Sequence, residues 1–116
     1  MVNRVILLGN LTADPEVRAT PKGVYVANLR MATNTFAGKD EGGNAKEITE
    51  FHRLVAFGRQ AEIAGEYLRK GRLVYVEGRL QTSSWDDAAT GVKKYRTEVV
   101  IDSFTMLGSK PQEVAA

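Results

Sequence analysis

One segment of the chain, and only one, carries a helical repeat. In "QAEIAGEYLRK", Gln60 to Lys70, residues Ala61, Ile63, Ala64, Tyr67 and Leu68 gather on one side at about 100° per residue. Glu62 near its start and Arg69 and Lys70 at its end suit the helix dipole. Gly71 is placed to end it in a left-handed conformation. Gly65 weakens the segment by about 1 kcal/mol against alanine, so packing rather than propensity must hold it.

Every other patterned segment has the period of a strand. Five are expected: Val2–Leu11, Val24–Thr33, Thr49–Arg59, Leu73–Trp85 and Lys93–Met106. Between them "TADPEVRATPKG" and "DDAATG" carry turn signals, and "FAGKDEGGNAKE" reads as a flexible hairpin loop. A single helix between the third and fourth of five strands is the order of the OB-fold Greek-key barrel. The expectation is therefore one all-β domain with one helix over residues 1–108. Residues 109–116, "SKPQEVAA", are expected to be a short flexible tail. That fold hosts many functions, so function must be read from side chains.

At 116 residues the chain is long enough to bury a core of its own. It has no cysteine, which excludes disulfides, thiol nucleophiles and thiolate metal sites. No apolar run approaches the roughly 18 residues of a membrane span, and the N-terminus reads as a first strand rather than a signal peptide. The net charge of +2 is mild, so the placement of charge matters more than its sum.

The third strand, "TEFHRLVAFGR", puts Phe51, Arg53, Val55, Phe57 and Arg59 on one face. The other carries Glu50, His52, Leu54 and Ala56. In the fourth strand Val74, Val76, Gly78 and Leu80 read as core, opposite Tyr75, Glu77, Arg79, Gln81, Ser83 and Trp85. Rings alternating with cations suit an unpaired polynucleotide. A ring covers the face of any base, worth about 1–3 kcal/mol each. An arginine reaches the phosphate or stacks. A duplex hides its base faces, so such a surface prefers single strands.

Catalytic readings have less support. His52 is the only histidine and sits among apolar neighbours, which suits a packed residue better than a catalyst. There is no nucleophile elbow and no "GxxxxGK[ST]" loop. Asp86 and Asp87 fit a turn better than a metal site. No cofactor and no metal are expected. Three rivals stand beside the leading reading: a primosomal or RNA-binding OB protein, a scaffold whose rings fill subunit interfaces, and an OB-fold hydrolase.

The motifs "NRVILLGNLTADPEVR", "TEFHRLVAFGRQAEIAGEYLRKG" and "VYVEGRLQTSSW" followed by "YRTEVVI" closely resemble the bacterial single-stranded DNA-binding family, in order, over about residues 1–108. The resemblance implies a non-catalytic OB-fold subunit of a homotetramer around which single-stranded DNA wraps in replication, recombination and repair. It implies a cytoplasmic, nucleoid-associated location. The family's stacking rings map onto Phe36, Phe51, Phe57 and Trp85, where many members carry tryptophan at the first two positions. Its basic positions map onto Arg4, Arg53, Arg59 and Arg72, with Arg79, Lys93, Lys94 and Arg96 nearby in sequence. Gln81 and Ser83 stand where many members have further cations, and His52 matches a histidine at subunit contacts. Family members continue into a long tail with an acidic tip that recruits replication and repair proteins, whereas this sequence ends in "KPQEVAA".

Overall fold

The computed structural model describes residues 1–108; the expected tail, residues 109–116, lies outside them. The elements run β1 (Val5–Leu11), β2 (Glu16–Ala19), β3 (Tyr25–Lys39), β4 (Ala45–Phe57), α1 (Arg59–Tyr67), β5 (Leu73–Asp86) and β6 (Lys93–Leu107). They form one sheet in the order β1-β5-β6-β4-β3-β2, and a β1–β3 pairing closes it. β1, β3, β4, β6 and β5 thus make the five-stranded barrel expected of an OB-fold. Closure uses Asn10↔Ala32 and Leu11↔Met31, and one parallel contact, Leu54↔Val99 with Val55↔Val100, joins β4 to β6.

Alternation explains the interior. Leu29, Met31, Leu54, Ala56, Val74, Val76, Val99 and Ile101 point inward and are buried with Leu11 and Ala27. From α1, Ala61 and Ala64 pack into the same core, joined by Leu68 just beyond it. The helix is shorter than the sequence pattern suggests: it stops at Tyr67, and Leu68 takes an extended conformation. Gly71 does not cap it. With φ 91° it turns the chain three residues later, donating its N–H to the Leu11 carbonyl at 2.8 Å. Arg69 does serve the helix end, because Nη1 donates to the carbonyls of Gly65 (2.8 Å) and Leu68 (2.6 Å).

Three further expectations are corrected. The segment read as turn contains β2, which pairs with β3 from Glu16↔Asn28 to Ala19↔Tyr25. It is four exposed residues between Pro15 and Pro21, so it shows no buried alternation to read. The supposed flexible loop is mostly ladder. β3 and β4 stay paired out to Lys39↔Ala45, leaving a tight turn in which the Asp40 carboxylate accepts the N–H of Gly42 and of Asn44, each at 2.9 Å. β5 and β6 likewise stay paired to Asp86↔Lys93. Two long hairpin arms therefore leave the barrel. Leu80, read as core, is 49% exposed because β5 is already on its arm there.

Candidate nucleic-acid interface

The β3–β4 register decides which side chains meet. Phe36 lies opposite Glu47, Ala32 opposite Phe51, Arg30 opposite Arg53, Asn28 opposite Val55 and Val26 opposite Phe57. Residues in direct register share a face. The intervening Leu29, Met31, Leu54 and Ala56 fill the barrel, so Phe36, Phe51, Phe57, Arg30 and Arg53 stand on its outside. Val55 continues this face to Val100 on β6, and with Val26 they form a small apolar floor outside the barrel. From Val100 the same parity runs through Glu98, Arg96 and Lys94, opposite Gln81, Ser83 and Trp85 on β5.

The rings on this face are not core residues. Phe36 is 63% exposed, Phe51 72%, Phe57 48% and Trp85 44%. The outward parity expected for Phe51, Arg53, Val55 and Phe57 holds, with Val55 buried in the floor. Arg59 does not share it, because it opens α1 and is ion-paired to Glu62 at 2.9 Å.

Sequence reasoning missed Tyr95, 66% exposed on the β6 arm. With Arg53, Trp85 and Arg96 it lines a recess of about 410 Å³. An aromatic between cations in "KKYR" was the signal available. The Arg96 guanidinium carbon stands 5.5 Å from the centre of the Trp85 ring, a cation–π contact that steadies both side chains.

The cations divide into two groups. Four ion pairs occur among the described residues: Arg4–Glu77 (2.8 Å), Arg59–Glu62 (2.9 Å), Arg79–Asp102 (2.7 Å) and Lys94–Asp87 (3.2 Å). Asp87 is itself held in a turn. Its carboxyl sits below the usual range because the Ala89 N–H and then Lys94 bind the charged form. Arg53 and Arg96 on the ring face have no carboxylate within 4.0 Å among the described residues, nor does Lys93 on the β6 arm.

The structure does not bring Arg4 and Arg72 to the ring face. Arg4 is engaged by Glu77, whose other oxygen accepts the Tyr75 hydroxyl at 2.8 Å. The Tyr75 hydrogen bond and then the Arg4 charge hold the Glu77 carboxyl below its ordinary value, and the same bond raises the Tyr75 phenol. Arg72 lies in the turn between α1 and β5, only 9% exposed. Its Nε has no hydrogen-bond partner among the described residues. His52 is half-buried, with Nε2 hydrogen-bonded to the Thr33 hydroxyl at 2.8 Å. Among the described residues no three histidine, aspartate or glutamate side chains come together as a metal site would need. No helix among them is long and apolar enough to cross a membrane.

Comparison with known proteins points the same way. The model of the "Single-strand binding protein family" matches residues 2–107. The chain is 53% identical over 109 residues to "Single-stranded DNA-binding protein 1" of Chlorobaculum tepidum, covering 94% of this chain and 67% of that one. Among solved structures it is similar to a deletion mutant of the single-stranded DNA binding protein from Thermus aquaticus, with TM-score 0.79 and 38% identity, covering 94% of this chain and 52% of that one. It is also similar to the Plasmodium falciparum SSB in complex with ssDNA, with TM-score 0.82 and 29% identity, covering 93% and 97%. The chain thus spans about half the length of the Thermus deletion mutant and two-thirds of the Chlorobaculum protein.

Proposed function

The chain belongs to the single-strand binding protein family, and from that premise we propose that it binds single-stranded DNA without regard to sequence and works by binding rather than catalysis. One observation carries this reading. Four exposed rings, Phe36, Phe51, Phe57 and Trp85, share an outer face with Arg53 and Arg96, which no carboxylate among the described residues neutralises. Bases stack on the rings while phosphates lie against Arg53 and Arg96. Four stacks supply roughly 4–12 kcal/mol gross, less the cost of ordering a flexible strand. Binding only the unpaired form draws the melting equilibrium toward single strands and shields them in replication, recombination and repair. A cytoplasmic, nucleoid-associated location goes with that ligand.

Self-association into a homotetramer belongs to the same proposal. β1 alternates Val5 and Leu7 inward with Ile6 and Leu8 outward, and the outward pair are 55% and 52% exposed. A strand apolar on both faces reads as one covered on both. Leu8 pairs with Tyr75, and Tyr75 and Glu77 complete a patch that a second copy would bury. Joining subunits lets one strand engage several ring faces and raises its effective concentration at each.

Trp85 is the only tryptophan and makes the test direct. Its fluorescence is expected to fall on titration with poly(dT). Competition between oligo(dT) and oligo(U) separates this function from an RNA-binding one; a clear preference for oligo(U) would overturn the assignment.

A further inference from the structure

A second recess, of about 270 Å³, opens beside the ring face, and its walls hold Arg18, Arg30, Arg53 and Arg96. The four come from four different strands, β2, β3, β4 and β6. Arg30 and Arg53 are in direct register. Their β-carbons are therefore only about 5 Å apart, a like-charge pairing that costs stability unless an anion lies between. None of the four has a carboxylate within 4.0 Å among the described residues. Acids are close by, since Asp14, Glu16 and Glu98 line the same walls. Asp14 is spent on the backbone, accepting the Lys70 N–H at 2.8 Å. The other two moderate the recess without pairing its arginines. Among the described residues no aromatic lines it, in contrast to the neighbouring recess with Trp85 and Tyr95. Arg53 and Arg96 belong to both, so the two recesses adjoin.

We propose that this four-arginine recess is a backbone-only subsite, which takes the phosphodiesters of a strand as it leaves the rings and carries them across β4 and β3 toward the β2 edge. The inference rests on the single-strand reading above and adds a direction and a second grip to it. Rings read the base faces, and the recess reads charge alone, so it should hold a strand that has no bases there.

The test uses short oligo(dT), with and without an extension of abasic phosphates, against the wild-type chain and an Arg18→Gln/Arg30→Gln double variant. In the wild type the abasic extension should tighten binding and steepen the salt dependence. In the double variant that gain should vanish, with the log–log salt slope shallower by about 0.7 per arginine, roughly 1.4 for the pair. Trp85 quenching by the unextended oligo(dT) should survive. Arg30→Lys keeps the charge and should keep the slope, and Glu98→Gln removes an opposing charge and should tighten binding of the extended ligand. Arg18→Gln alone, on an exposed strand, serves if the double variant does not fold. An extension that adds nothing in the wild type, or an unchanged slope in the variants while Trp85 is still quenched, would overturn the subsite and leave the ring-face function standing. Loss of quenching in the wild type would instead overturn the function itself.

Discussion

Phe51→Ala separates a binding ring from a structural one. Full burial of a phenylalanine side chain is worth about 1.5–3 kcal/mol. Phe51 is 72% exposed, so only about a quarter of that is at stake in the folded chain, roughly 0.4–0.8 kcal/mol. A stack on one base is worth about 1–3 kcal/mol, which is roughly a 5- to 150-fold change in Kd. The substitution should therefore weaken binding by more than it weakens the fold. Trp85 reports both quantities: its quenching by poly(dT) gives affinity, and denaturant unfolding gives stability. A loss of stability well above 1 kcal/mol with affinity per folded chain unchanged would refute the reasoning and make the ring a packing residue.

Other substitutions probe the supporting structure. Gly65→Ala should destabilise despite alanine's better helix propensity, because the added β-carbon would lie 2.5 Å from Val17 Cγ2 on β2. Overpacking costs about 1–3 kcal/mol, and Val17→Ala in the same chain should recover much of it on denaturant unfolding. The Glu77 carboxyl is held below its ordinary 4.5, so its stabilising contribution is present above that pH and fades as the pH falls through the lower folded value. Glu77→Gln should flatten the acid side of a plot of thermal midpoint against pH. Ile6→Glu should lower the sedimentation coefficient of the free protein by opposing association through β1, while each chain keeps its fold.

The strands with a buried face were legible before the structure. β4 is the clearest case: Leu54 and Ala56 go inward while Phe51, Arg53 and Phe57 go outward, as a period of two demands. What escaped notice has no such face. β2 is four exposed residues between two prolines, and the outer halves of β3 and β4, read as a loop, are an arm with solvent on both sides. Their pairing is specified by the partner strand rather than by local hydrophobicity. Arg59 was misplaced because the change of period at Gly58 comes one residue earlier than the pattern suggests. Arg30 carried no signal of its own: its importance comes from standing opposite Arg53, and a cross-strand register is invisible in one dimension. Arg72 shows the converse, since a cation that looks available in sequence is tucked under the α1–β5 turn.

The central claim is that Phe36, Phe51, Phe57 and Trp85 receive bases on the outer face of the barrel. A crystal structure of the chain with oligo(dT) tests it most directly. The account predicts thymine planes parallel to those four rings, with phosphates against Arg53 and Arg96. A strand lying across another surface, with the four rings uncovered or enclosed between protein subunits, would contradict it.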